Sequence, residues 1–355
     1  MTYTGQLLIY LQNANGSLAF PVSYPASSNP ISLSVADLNG DRRTDIVVAD
    51  FVSNTISVYL QQAGGTLAPR VTYPTGLQPD ALDVGDVNGD GLADVVVSHW
   101  NTASIGVFLQ NPGGMLDRMV SYEAPLAGYD DIAIGDVNAD GRSDVVKMNG
   151  QGAAPRLSVY LQNPDGTLAA AIPYGINCPD CVAGGLAIGD VTADGRADIV
   201  VSYGGIAPES NIDVLVQAPD GSLQPAINYA AYDVPEPLKL ADVNQDGLLD
   251  VITAHGYWGA GFSTYLPPLA AYSFYNLPPH SGYYEPDALA VGDLNGDNRP
   301  DILVAGADGL LVAYHTSGEP PQTKTSTPTL TRTATATPPA TATPTPDSTP
   351  GQAGG

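Results

Sequence analysis

The stretch GDVNGDGLADVVVSHW, Gly85–Trp100, carries aspartates at Asp86, Asp90 and Asp94, an asparagine at Asn88 and a glycine at Gly91, then runs straight into three valines. Carboxylate and amide oxygens at alternate positions, with a glycine where the chain must turn sharply, are the donor set of a calcium loop. No helical period flanks it. An EF-hand would need a glutamate at the twelfth position, which here is Val97. The loop therefore leads into a strand, and the chain repeats it.

Six copies occur, their first aspartates 49 to 54 residues apart. They are Asp37, Asn39, Asp41, Asp45; Asp86, Asn88, Asp90, Asp94; Asp136, Asn138, Asp140, Asp144; Asp190, Thr192, Asp194, Asp198; Asp242, Asn244, Asp246, Asp250; and Asp293, Asn295, Asp297, Asp301. In the other five copies the twelfth position is Val48, Lys147, Val201, Thr253 or Val304, so the EF-hand reading fails throughout. Self-similarity at this period points to a solenoid, a propeller or an array.

Within the second copy, Ala81–Asp86 alternates as a strand a, Asp94–His99 is a continuous apolar strand b, Ser104–Gln110 is strand c, and Arg118–Tyr122 is strand d after the turn Asn111–Gly114. A continuous run such as strand b suits a strand covered on both faces. Four antiparallel strands per repeat make a β-propeller blade, which buries its faces only against neighbouring blades. The expected fold is all-β, a propeller of four-stranded antiparallel blades, with six blades favoured and seven the alternative. Residues before the first loop read as strands c and d, and those after the sixth as strands b and c. An N-terminal strand is therefore expected to complete the C-terminal blade and close the ring.

The recurring GDVNGDGLADVVV, VFLQNPGG and VSY segments resemble the FG-GAP or VCBS repeat family, similar to the propeller of integrin α-subunits and to certain fungal lectins. The resemblance covers roughly residues 6–316 and implies a nine-residue loop between strands a and b that holds Ca²⁺ at the blade edge. It also implies ligand recognition on the face away from the calcium loops.

Charge agrees with the loop reading. The 355 residues hold 12 Lys and Arg against 37 Asp and Glu, a formal charge of −25, and 18 of those acids are the loop aspartates. Up to six structural Ca²⁺ would reduce −25 to −13. So acidic a surface disfavours nucleic acid and anionic membranes as partners. No apolar run is long enough to insert in a membrane, and no secretory signal is present as written. Open loops of this kind suit extracellular calcium, so the expected location is extracellular or at the cell surface. Arg42 replaces the turn glycine in the first loop, and Thr192 is a poorer ligand than an amide in the fourth, so these two sites are expected to be the weakest.

The rim opposite the loops collects aromatic residues. His99, Trp100, His255, Tyr257, Trp258, Tyr283 and Tyr284 are the candidate ligand-binding residues there, with Tyr129, Tyr203 and Glu285 nearby in the pattern. Aromatic rings beside polar groups suit stacking on sugars or anchoring a protein. Tyr24, Tyr73, Tyr122, Tyr174 and Tyr229, near the ends of strands d, are read instead as blade packing. No catalytic residues are assigned. The Cys178–Cys181 pair has no redox-fold context and reads as a short-loop disulfide or two free thiols. Residues 1–317 form the expected propeller, and residues 318–355, rich in Thr and Pro, an expected disordered tail or linker.

The expected function is a calcium-stabilised adhesion or recognition module for a glycan or a surface protein, not an enzyme. The alternatives are a polysaccharide-degrading enzyme or its accessory domain, and a structural spacer of a surface assembly.

Overall fold

The computed structural model describes residues 5–27, 29–100, 102–125, 130–149, 156–176, 182–204, 210–232, 234–256, 261–269, 271–276, 286–306, 309–315 and 330–333. It begins with a hairpin, β1 (Gln6–Ile9) and β2 (Val22–Pro25), which forms a two-stranded sheet of its own. Six four-stranded antiparallel blades follow. The first is β3 (Pro30–Ala36), β4 (Asp45–Asp50), β5 (Thr55–Tyr59) and β6 (Val71–Pro74). The second is β7 (Pro79–Gly85), β8 (Asp94–His99), β9 (Ser104–Phe108) and β10 (Val120–Glu123). The third is β11 (Asp130–Gly135), β12 (Asp144–Asn149), β13 (Arg156–Tyr160) and β14 (Ile172–Gly175). The fourth is β15 (Val182–Gly189), β16 (Asp198–Gly204), β17 (Asn211–Leu215) and β18 (Ile227–Ala230). The fifth is β19 (Pro235–Ala241), β20 (Asp250–His255), β21 (Gly261–Tyr265) and β22 (Tyr272–Asn276). The sixth is β23 (Pro286–Gly292), β24 (Asp301–Gly306), β25 (Gly309–Ala313) and β26 (Leu330–Thr333).

Strand character follows position in the blade. The b strands β8, β12, β16 and β20 are buried along their whole length, as their unbroken apolar runs require. The outer d strands β2, β6, β10, β14 and β18 expose every residue except the tyrosine at their third position. That tyrosine joins blades. Tyr73 Oη accepts the Leu116 N–H at 3.4 Å, and Tyr122 Oη the Leu168 N–H at 3.4 Å, each in the following blade. The core lies between blades: Val47 and Ala49 of β4 share one cluster with Leu82, Val95 and Val97 of the second blade. The a strands are innermost and pack in series from β3 through β7, β11, β15 and β19 to β23.

The ends differ from the expected closure. Among the described residues no N-terminal strand pairs with the last blade; its fourth strand is β26, which pairs antiparallel with β25 from Leu310↔Thr333 to Ala313↔Leu330. This strand lies inside the segment read as a linker. An edge strand needs only main-chain pairing, which the threonine alternation of Leu330–Thr333 permits without a packed core. The rest of the expected tail lies outside the described residues. The β1–β2 hairpin sits between the sixth and first blades. Tyr24 Oη accepts the Leu67 N–H at 3.2 Å in the first blade, and a Cβ at Gly16 would lie 3.0 Å from the Asn295 carbonyl in the sixth.

Candidate metal loops and ligand rim

Each aspartate loop joins strand a to strand b, and all six fold alike. The first aspartate is a hub for main-chain N–H groups. Its Oδ1 accepts the N–H of the fifth residue (Asp41, Asp90, Asp140, Asp194, Asp246 or Asp297) at 3.0–3.2 Å. Its Oδ2 accepts the N–H of the sixth residue at 2.6–2.8 Å. The fifth aspartate in turn accepts the N–H of the seventh residue at 2.8–3.0 Å. Where partial desolvation alone would raise them, these N–H groups hold Asp37 and Asp293 below the usual carboxylate range.

Such wrapping needs left-handed backbone at two positions. The sixth residue has φ of 65° at Arg42, 83° at Gly91 and 63° at Asn298, so Arg42 and Asn298 take the left-handed backbone that glycine takes in the second loop. The fourth residue is left-handed too, including Ala139 at 60°, Ala193 at 60° and Gln245 at 63°, which the sequence reading did not single out.

The ninth aspartate is wholly buried in every loop. Its Oδ2 accepts the N–H of the second residue, as in Asp94 with Val87 at 3.0 Å, and its Oδ1 accepts the N–H two residues beyond strand c, as with Gln110 at 2.8 Å. Burial raises Asp45 and Asp198 and pushes Asp94, Asp144 and Asp250 up to about 6, partly opposed by those N–H donors. The fifth blade breaks the pattern. Pro267 occupies the place of the donor and has no N–H, and Asp250 Oδ1 is buried without a hydrogen bond.

The fifth aspartate differs between loops. Arg43, Arg142 and Arg196, each the seventh residue of its loop, form ion pairs with Asp41, Asp140 and Asp194. In the second and fifth loops the seventh residue is Leu92 or Leu248, and the carboxylate takes an N–H from Asn88 at 3.0 Å or Asn244 at 2.9 Å. A shallow cleft between the first two loops is lined by Asn39, Asp90, Gln110 and Pro112.

The donor chemistry suits a hard divalent cation, because the loop side chains are carboxylates, amides and, at Thr192, a hydroxyl, and Asp250 Oδ1 is buried without a hydrogen bond. In the geometry shown, the loops close on their own N–H groups. Among the described residues, no three His, Cys, Asp or Glu side chains converge as a metal-holding group.

On the opposite rim, two candidate ligand residues are placed differently from the expectation. His99 and His255 have no exposed surface. Each is the last residue of its b strand, and its ring turns inward. His99 Nε2 accepts the Gly76 N–H at 3.1 Å, and a Cβ at Gly76 would meet that ring at 2.9 Å. His255 Nε2 lies 2.8 Å from Ser263 Oγ, between Tyr232 and Phe274. Burial lowers the His99 pKa. Tyr203 is buried as well. Trp100 is half-buried and meets Phe51 edge-on at 5.9 Å. Val52 and Leu77, 60% and 58% exposed, lie in the connections beside them and were not anticipated. Tyr129, Tyr257, Trp258, Tyr283, Tyr284, Glu285, Cys178 and Cys181 lie outside the described residues.

The profile of the FG-GAP-like repeat matches residues 1–48, 37–97 and 136–201, spanning the first four loops. The chain carries FG-GAP-like repeats. The fifth and sixth loops, outside those matches, share the same hydrogen bonds. No curated protein sequence matches the chain. Solved structures share the propeller fold. One is a lectin of Agrocybe aegerita described as recognising non-reducing terminal N-acetylglucosamine, at 20% identity and TM-score 0.58, covering 84% of this chain and 83% of that one. A protein from Bacteroides uniformis, proposed to be a 6-phosphogluconolactonase, aligns at 15% identity and TM-score 0.63, covering 87% and 88%. A counterpart from Bacteroides fragilis aligns at 15% identity and TM-score 0.58, covering 86% and 85%.

Proposed function

We propose that this propeller is a calcium-stabilised recognition module acting outside the cell or at its surface, with a glycan ligand met by the rim opposite the aspartate loops. The observation that carries this reading is the division of labour between the rims. Acidic loops and c–d turns interlock on one side, while Phe51, Val52, Leu77 and Trp100 present apolar surface on the other. Flat aromatic faces beside polar loops suit sugar rings. The likeness to a lectin supports the glycan over a protein ligand, and the sealed His99 and His255 offer no acid or base to a substrate on this rim.

Calcium is assigned to the loops by their donor set, with Asp250 Oδ1 the oxygen most in need of a cation or a proton. Arg43, Arg142 and Arg196 compete with a cation for the fifth aspartate, so the first, third and fourth loops are the weaker sites. Two experiments test the reading. A chelator lowers the melting temperature if calcium stabilises the fold; an unchanged melt removes the metal. A glycan array in millimolar calcium yields selective binding that Trp100→Ala abolishes. Silence from folded protein overturns the glycan reading.

A further inference from the structure

Five of the six loops close on strand c in the same way. Oδ1 of the buried ninth aspartate accepts a main-chain N–H from two residues beyond that strand. The pairs are Asp45 with Gln61 at 2.7 Å, Asp94 with Gln110 at 2.8 Å, Asp144 with Gln162 at 2.9 Å, Asp198 with Gln217 at 3.0 Å and Asp301 with His315 at 2.8 Å. In the fifth blade that place belongs to Pro267, which has no N–H to give. Asp250 is as fully buried as its counterparts, and its Oδ1 has no hydrogen bond. Its Oδ2 keeps the usual bond, from the Val243 N–H at 2.9 Å. A buried carboxylate oxygen without a donor costs free energy that a cation can offset.

The rest of the fifth loop leaves its oxygens available. Leu248 stands at the seventh position, so no guanidinium takes Asp246, which accepts N–H groups of Leu248 and Asn244 at 2.8 and 2.9 Å. Gly247 fills the left-handed sixth position, with φ of 89°. The second loop matches it in each of these respects, with Leu92, Asn88 and Gly91. At the ninth aspartate the two loops part. Gln110 donates to Asp94, and Pro267 cannot donate to Asp250.

We infer that the fifth loop is the primary calcium site of the chain and that Pro267 makes it so, by leaving Asp250 Oδ1 for the cation. The inference rests on the calcium reading above and adds which loop fills first and why. In the other five loops a cation meets a ninth aspartate whose two oxygens are both committed to N–H groups; at Asp250 one of those bonds does not compete. Two effects of opposite sign follow. Pro267 deprives the calcium-free protein of a hydrogen bond, and it strengthens the calcium-bound state.

Isothermal titration calorimetry on the full chain, stripped of metal and titrated with calcium alone, tests this. One site should be tighter than the rest; Asp246→Asn should remove it and Asp90→Asn should not. Pro267→Ala returns an N–H to Asp250 and should weaken the tightest site about tenfold, within the range for groups that hold a metal's ligands. In chelator the same variant should melt higher, because a regained bond to a carboxylate outweighs the added freedom of the unfolded chain. Pro267→Gln, which installs the residue of four other blades, should act in the same two directions. The inference is overturned if both variants leave the tightest affinity unchanged, if Asp90→Asn rather than Asp246→Asn removes that site, or if calcium fills the loops evenly. Weaker calcium binding together with a lower melting temperature in chelator would mark a damaged fold and overturn it too. Even filling would leave the calcium reading intact, whereas no calcium retained by folded protein in equilibrium dialysis would sink that reading along with the inference.

Discussion

The buried Asp144 carboxylate accepts the Gln162 main-chain N–H at 2.9 Å and the Val137 N–H at 3.1 Å, tying the end of strand c to the mouth of the loop. Asp250 makes only the second of these bonds, to Val243 at 2.9 Å. An amide at Asp144 would turn an NH₂ toward an N–H and strand both donors. Asp144→Asn should therefore cost about 1–3 kcal/mol, the loss expected for an unsatisfied buried donor. Asp250→Asn can aim its NH₂ where Pro267 offers no donor and should cost clearly less. Urea melts of both variants in chelator at pH 7 measure the difference; equal losses would contradict the clamp.

The interlock of turns predicts an asymmetry between two glycines of like conformation. Gly65 and Gly114 have φ of 78° and 74°, so alanine at either carries the left-handed penalty of roughly 1–2 kcal/mol. Only at Gly114 would the new Cβ also strike the Asn39 carbonyl. Gly114→Ala should be the worse by a further ~1–3 kcal/mol, the usual cost of overpacking. Thermal melts of the two variants side by side decide it.

What was legible in the sequence tracks what is local. Asp86, Asn88, Asp90 and Asp94 announce their loop because spacing alone brings them together, and the valines that follow announce a strand buried on both faces. Loop position four was not legible, since Ala139, Ala193 and Gln245 carry none of the glycine signal that left-handed backbone usually leaves. His99 and His255 end strand b and so looked like rim residues. The alternation of side chains at the strand end sends both rings inward, a distinction of one residue in register. The β26 pairing was hidden for another reason: threonine-rich composition says little about a strand held by its main chain.

The strained loop positions should yield to glycine. Arg42 donates its main-chain N–H to Asp37, and the neighbouring Arg43 makes the ion pair with Asp41, so Arg42→Gly keeps both. Relief of the left-handed strain, less the greater freedom of glycine in the unfolded chain, should stabilise by roughly 0.5–1 kcal/mol. Ala139→Gly should do the same in the third loop. A rise in urea midpoint with an unchanged slope is the expected result, and a fall would show that the φ values do not reflect strain.

Acid should stabilise the chelated protein over one pH window, through a group that is no metal candidate. Asp131, on the innermost strand of the third blade, accepts the Leu186 N–H at 2.8 Å across the interface to the fourth. Burial pushes its pKa up to about 6, with Asp83 adding to the rise and the Leu186 N–H and Lys239 opposing it. A folded pKa above the unfolded value means that the native state binds the extra proton. Its contribution is fully present below about pH 4 and is lost as pH rises through about 6. Unfolding free energy, measured in chelator to remove calcium linkage, should therefore fall between pH 4 and 7 by up to about 3 kcal/mol attributable to this group. Asp131→Asn keeps an acceptor for Leu186 but cannot titrate and turns its NH₂ toward the Ile132 N–H, so its profile should be flatter, with a pH-independent loss of stability beneath it. Parallel profiles for the two would place the titration elsewhere.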